Sequence, residues 1–461
     1  MKDRENRLPQ NRQADKMGSM PVGRLLITMA LPMVISMLVQ ALYNVVDSIY
    51  VSQVSENALS AVSMAFPIQN LMIGFSTGVG VGMNALLSKS LGSREYQRAN
   101  RAAVTGLLLS ALCCLLFMAF GAFFSRPYFA TQTDIVEIVD GGAQYLAVCT
   151  LFSFGIFGEI LFERLLQATG RTLFTMVTQG VGAILNIVLD PIFIFGAPGI
   201  PAMGVTGAAV ATVIGQIVAF FLALLFHFWR NHDVKLSLRG FRLQGSVLRP
   251  ILAVGVPSIL MVAIGSVMTY GMNRILLGFT ATAVAVFGAY FKLQSFIFMP
   301  VFGLNNAMVS IVAYNYGARK PDRILKTIRL SCLVAFCFML CGLLAFQLAP
   351  DAVLAMFEPS EDFLRIGRQA LQTISYSYLM AGFSVVFCSV FQALGNGLYA
   401  TVVSLARQLL VLLPVAFLLA LAHRLDLVWW AFPIAEVVSV LVCTALMVRI
   451  YRRKLRPLVQ A

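Results

Sequence analysis

PMVISMLVQALYNVVDSIYV, residues 32–51, carries one charged side chain, Asp47, in a run long enough to cross a bilayer, which takes about 20 apolar residues. A second run, GVGAILNIVLDPIFIFG at 180–196, holds Asp190 in the same manner. A carboxylate in hydrocarbon costs about 2.5–3.5 kcal/mol on insertion scales, so such a residue faces a bundle interior and handles an ion or a proton. At ~1.5 Å per helical residue, Asp47 lies ~33 Å from Leu25 and Asp190 ~27 Å from Thr172. Segments entering from one membrane face bring both acids to similar depth.

The rest of the chain follows that pattern. Hydrophobic residues make up 59% and charged residues 12%, against roughly 25% charged in a soluble protein. Twelve apolar spans are predicted, at 23–51, 58–87, 98–124, 134–163, 172–195, 203–228, 247–277, 283–312, 323–347, 363–393, 399–421 and 427–450. The fold class is therefore an all-α integral membrane protein. Of its 34 Lys and Arg residues, 27 fall in the two tails and the loops near 88–101, 164–171, 229–249 and 314–329. The other face holds Arg126, Arg365, Arg368 and Arg424; Arg274, Lys292 and Arg407 lie within spans. By the positive-inside rule both termini are expected in the cytoplasm, with the chain in the plasma membrane. The net charge of +14 is then a topology signal and not a nucleic-acid footprint. The first 20 residues lack the apolar run of a cleavable signal, so the first span should direct insertion. All eight cysteines sit in apolar stretches without metal or disulfide spacing and read as packing residues.

The chain repeats at an offset of 225 residues. Pro32 pairs with Pro257, Gln69 with Gln294, Gly78 with Gly303, Gly92 with Gly317, Arg94 with Arg319 and Gly170 with Gly395. Each copy holds six spans, so both enter the membrane in the same sense and are related by an axis along its normal. The expected domains are a tail at 1–22, an N-lobe at 23–228, a loop at 229–246, a C-lobe at 247–450 and a basic tail at 451–461. Two such lobes around a cavity suit an alternating-access transporter.

The polar constellation is confined to the N-lobe. Gln40, Tyr43, Asn44 and Asp47 share one helical face. Asn186 lies one turn before Asp190, and Pro191 supplies no N–H for the carbonyl of Ile187. Thr212 on the sixth span falls near the level of Asn186. Two carboxylates, an amide, a hydroxyl and a spare carbonyl are hard-oxygen donors suited to Na⁺ or a proton; Asn44 and Thr212 taken alone read as interhelical hydrogen-bonders. The repeat puts Met272, Val411, Val415 and Val437 at the positions of Asp47, Asn186, Asp190 and Thr212.

The motifs LYNVVD after Pro32, RLLQATGRT at 164–172, NIVLDPIFIFG at 186–196, GVTGAAVAT at 204–212, FKLQSFIFMPVFGLNNA at 291–307 and YNYGAR at 314–319 resemble the multidrug and toxic compound extrusion (MATE) family. The resemblance covers nearly the whole chain. It implies a twelve-helix antiporter exporting drugs against Na⁺ or H⁺, with Asp47, Asn186, Asp190 and Thr212 as the cation site of one branch. Another branch keeps acids in the C-lobe, where this chain has none on the seventh span and only Glu361 and Asp362 near the outer end of the tenth.

Met261, Met268, Met272, Tyr290, Lys292, Gln294 and Phe296 are adaptable side chains placed to line a substrate cavity. Lys292, Arg407 and Glu436 read equally as a neutralised structural cluster or an anchor for an anionic group. Glu163, beside Arg164, reads as a solvated rim pair. The GFSTG run at 74–78 matches the nucleophile-elbow pattern around Ser76 but lies mid-helix without a histidine base, so no enzyme is expected. The expected partners are drug-like small molecules and lipid, with a monomeric chain, no cofactor and only Na⁺ or H⁺ as coupling ion. A lipid-linked precursor or polysaccharide flippase is the alternative, and it would need a cationic central cavity.

Overall fold

The computed structural model describes residues 15–237, 241–357 and 360–460; most of the expected tail (1–14), loop residues 238–240, residues 358–359 and Ala461 lie outside the described residues. A short helix α1 (Lys16–Ser19) precedes the N-lobe, built from α2 (Val22–Ser52), α3 (Glu56–Gly92), α4 (Tyr96–Ala130), α5 (Val136–Leu151), α6 (Phe154–Ala168), α7 (Thr172–Phe195) and α8 (Val205–Arg230). The C-lobe consists of α9 (Gly245–Leu277), α10 (Ala281–Gly317), α11 (Pro321–Leu348), the short α12 (Pro350–Leu354), α13 (Glu361–Ser375), α14 (Tyr378–Ala393), α15 (Gly397–Leu405), a π-helical turn (Ala406–Leu412), α16 (Leu413–Ala420), the short α17 (Leu425–Val428) and α18 (Ala431–Ile450). A second π turn leads to α19 (Arg456–Gln460).

Among the described residues, ten helices are long and apolar enough to cross a membrane, and two bent pairs, α5–α6 at 43° and α13–α14 at 52°, bring the number to twelve when each pair is taken as one span. The fourth and tenth spans, read from sequence as continuous, are thus broken. Side-chain hydroxyls bond back to carbonyls beside each break: Thr150 to Leu146 and Ser377 to Ile374. Such back-bonding competes with the helical ladder and bends it.

The repeat is visible in backbone detail. Ser55 caps α3 through the N–H of Ala58, and its repeat partner Thr280 caps α10 through Ala283, both at 3.0 Å. Arg94 and Arg319 are both left-handed, at φ 61° and 55°, as are Gly170 and Gly395 at 76° and 77°. A non-glycine residue there is uncommon, so the agreement of the two arginines reflects shared architecture.

The lobes meet symmetrically. A Cβ on Gly92 would overlap the Tyr314 carbonyl, and one on Gly317 the Lys89 carbonyl. Gly78 lies against Ile259, and Gly303 against Met33 and Val34, again a repeat-related set. These contacts occupy the half of the bundle nearest the basic loops. Toward the other face they loosen, and a Cβ on Gly74 would meet only the Val262 side chain, at 3.2 Å. The basic face is therefore closed. The α1 segment straps it: Asn315 Nδ2 and Arg323 Nη2 donate to the Met17 carbonyl, Lys320 Nζ to that of Gly18, and Arg323 Nη2 to that of Met20.

Candidate functional site

The N-lobe holds a partly open cavity of about 90 Å³ with mixed polar and apolar walls between α2, α3, α6, α7 and α8, room for several waters or a desolvated ion. Gln40 and Tyr43 from α2, Glu159 from α6, Gln179 and Asn186 from α7 and Thr212 from α8 line it. Small residues leave this space: Gly182 and Gly215 bring α7 and α8 together, and a Cβ on Gly215 would meet the Gly182 carbonyl at 2.8 Å.

Of the four residues named for the cation site, Asn186 and Thr212 line this cavity and Asp47 and Asp190 do not, and hydrogen bonds join Asn186, Asp190 and Thr212. Asn186 Nδ2 donates to Asp190 Oδ1 at 3.3 Å and to Thr212 Oγ1 at 3.2 Å. Asp190 is fully buried, and among the described residues no hydrogen bond joins it to Asp47 on α2. After these bonds are made, Asp47 Oδ1, Asn186 Oδ1 and Asp190 Oδ2 remain buried without a donor. All three are acceptors, and buried acceptors are expensive to leave unmatched. A donor set of hard oxygens that includes two carboxylates fits Na⁺ or a shared proton. Among the described residues no three His, Cys, Asp or Glu side chains gather as they would for a transition metal.

Gln40 and Tyr43 extend the site along α2, both on the cavity wall. Asn44 lies on the exposed side of the helix and is absent from the cavity wall. Farther out, Gln69 Nε2 donates to the Tyr145 hydroxyl at 3.2 Å.

Glu159 is the residue that the sequence reading overlooked. It lines the cavity, lies within electrostatic reach of Tyr43 and stands one helical turn from Glu163. The signal was available, because two glutamates spaced by four on an apolar helix share a face that must meet protein or water. Glu163 corrects the rim-pair reading: it is 3% exposed and accepts from Thr178 Oγ1 at 2.8 Å and Gln179 Nε2 at 2.9 Å. The helix runs on to Ala168, past the span end placed at 163, which puts Glu163 inside. Arg164, also buried, donates to Gln167 and, across the lobes, to Asn306, each at 2.9 Å.

The C-lobe residues named for a cavity do not form one wall. Met268, Met272 and Tyr290 belong to the hydrophobic core, Met272 with no exposed surface. Their helical spacing turns them toward the lobe interior. Met261 and Gln294 are half-buried, while Lys292 and Phe296 are exposed. Arg407 and Glu436 pair at 3.4 Å, without Lys292. Ser76 is buried mid-helix with its Oγ unpartnered, far from the geometry of a nucleophile.

Known proteins share this fold. The family model MatE matches the chain twice, at residues 32–192 and 257–418, so that the two matches begin at the repeat-related prolines. The probable multidrug resistance protein YoeA of Bacillus subtilis is 26% identical over 419 residues, covering 89% of this chain and 90% of that protein. The FAD transporter of Shewanella oneidensis is 27% identical over 447 residues, covering 94% and 96%. A solved outward-facing structure of a multidrug resistance MATE family transporter of the MOP superfamily superposes with a TM-score of 0.90 at 25% identity, covering 98% of this chain and all of that one. With matching repeats, a matching twelve-span fold and relatives along nearly its full length, the chain belongs to the MatE family of multi-pass membrane transporters.

Proposed function

We propose that the protein is a cation-coupled antiporter that exports amphipathic organic cations by alternating access. The observation that carries the reading is the trio of orphaned buried acceptors on Asp47, Asn186 and Asp190. Na⁺ or H⁺ supplies the missing positive charge there. The substrate's ammonium group docks beside it on Glu159, which has no ion-pair partner among the described residues. Gln40, Tyr43 and Asn186 border both positions, so occupancy of one changes the other.

The basic face is the cytoplasmic one in this reading, and the contacts closing it represent the outward-facing state. Cation binding shifts the population between this state and one open at the basic face by its differential affinity for the two. The monomer is the working unit, since each chain contains both lobes.

The flippase alternative requires a cationic central cavity. Lys292 is exposed and Arg407 is already paired with Glu436, while the N-lobe cavity carries one charged lining residue, Glu159, an acid. That polarity also favours cations over a phosphate-bearing cargo of the kind named for the Shewanella relative.

Purified protein in proteoliposomes, with Na⁺ and H⁺ gradients imposed independently, tests the proposal. Efflux of a fluorescent organic cation driven by either gradient is expected. Equal efflux with both gradients collapsed refutes coupling.

A further inference from the structure

A helix of four residues leaves most of its carbonyls without a partner of its own, and α1 (Lys16–Ser19) is such a helix. The C-lobe supplies the donors. Asn315 Nδ2 and Arg323 Nη2 each donate to the Met17 carbonyl at 3.0 Å, Lys320 Nζ to that of Gly18 at 2.7 Å and Arg323 Nη2 to that of Met20 at 2.6 Å. The Tyr314 hydroxyl donates to Asp15 Oδ1 at 3.3 Å. Ionised donors make the stronger hydrogen bonds, and three of these bonds have one. Gly18 lets the segment lie close on α10, where an added Cβ would stand 3.0 Å from the Tyr314 ring.

The same segment meets the N-lobe. A Cβ on Gly170, in the left-handed turn between α6 and α7, would lie 3.0 Å from Lys16 Cε and 3.7 Å from Met17 Cγ. Met17 has no exposed surface and belongs to a core cluster that includes Leu91 and Leu165 of the N-lobe and Ile311 and Ile324 of the C-lobe. Residues 15–20 thus bridge the lobes at the closed basic face. The grip is not a by-product of the repeat. Ser90 and Glu95 occupy the N-lobe positions of Asn315 and Lys320, and Arg98, the counterpart of Arg323, is paired with Glu95 at 3.2 Å.

Met20 and Pro21 separate α1 from α2 with extended backbone, at ψ 144° and 132°, and Pro21 has no N–H with which to join the two helices into one. Since α2 belongs to the N-lobe, parting the lobes at the basic face pulls α1 in two directions. Charged hydrogen bonds hold it to the C-lobe, whereas only side-chain packing holds it to the Gly170 turn. The packing contact is the one that yields.

We propose that residues 15–20 are a latch on the basic face: they stay with the C-lobe, plug the seam with Met17 while the face is closed, and leave the Gly170 turn by bending at Met20–Pro21 when it opens. A contact present in one of two states biases the equilibrium toward that state. The inference rests on the alternating-access part of the export reading and not on the identity of the ion or the substrate.

Double electron–electron resonance on the full chain in nanodiscs, in a background without native cysteines, tests the latch. Spin labels at Gln97 on α4 and Asp322 on α11, exposed and repeat-related, report the separation of the lobes at the basic face. Met17→Ser and Arg323→Gln should each raise the ratio of wide to narrow distances by about fivefold or more, the scale set by a lost apolar side chain or a lost charged hydrogen bond. Both act on one link, so the double variant should do no more than the stronger single one. Lys320→Met takes the place of Arg323→Gln if that variant does not fold. With one label moved to Ser19, the distance to Asp322 should stay single while that to Gln97 lengthens on opening. Unchanged ratios in the single variants, additive effects in the double variant, or a Ser19–Asp322 distance that changes on opening would overturn the proposal. The expected pattern without gradient-driven efflux supports the latch and strikes the coupling in the export reading.

Discussion

Replacing Asp47 or Asp190 by asparagine keeps the side-chain shape and removes one of the two charges facing the orphaned acceptors. Each variant should fold, insert and lose coupled efflux, as followed in proteoliposomes; normal efflux from either would make that residue structural. Glu163 offers a contrasting case. Its carboxylate accepts from Thr178 and Gln179, so Glu163→Ala leaves the half-buried Gln179 amide without that acceptor and Thr178 with only its bond to the Thr175 carbonyl. We expect a loss of about 1–3 kcal/mol in stability, seen as a lower unfolding temperature, and a smaller loss in Glu163→Gln, which retains an acceptor. That Asn186, Asp190 and Thr212 would cluster could be expected from sequence, because a polar group in a long apolar run has few explanations. Glu163 was misplaced because a span end set a few residues early turned an interior acid into a rim acid, while Glu159, well inside the span at 134–163, was overlooked although its spacing from Glu163 was readable.

Helix-level order depends on closest approach. Gly92 and Gly317 occupy repeat-related crossings where an added methyl group would overlap a partner backbone carbonyl. Gly92→Ala and Gly317→Ala should therefore act alike, forcing the basic ends of α3 and α10 apart. Single-cysteine labelling from the basic side, in a background without native cysteines, should rise in both, and a rise in only one would contradict the symmetric closure. The sequence announces these glycines through the repeat but cannot say which surface each one meets. The breaks in the fourth and tenth spans were hidden for a related reason. Neither Leu151-Phe152-Ser153 nor Ser375-Tyr376-Ser377 contains proline or glycine, and the bend comes from hydroxyl back-bonding that composition does not reveal.

At the scale of the molecule, two similar lobes carry different chemistry, and that asymmetry should appear in the ion dependence. The charge pattern and the repeat were readable because topology and symmetry are written over hundreds of residues. Which methionines and aromatics line a cavity was not, since Met272 in the core and Phe296 at the surface look alike to composition. With cation coupling confined to the N-lobe, Met272→Leu and Val415→Leu, at the repeat positions of Asp47 and Asp190, should leave the ion dependence of efflux unchanged. On the proposed reading, Na⁺ and protons seek the same N-lobe carboxylate oxygens, and a proton on either acid removes both a charge and an acceptor. Cation affinity at such a site is linked to proton release. Lowering pH should therefore raise the Na⁺ concentration needed for half-maximal efflux, by up to about tenfold per pH unit where one proton leaves for each ion bound. Asp47→Asn or Asp190→Asn should flatten that dependence. A midpoint for Na⁺ that is independent of pH, and unchanged in both variants, would place the coupling ion away from these two carboxylates.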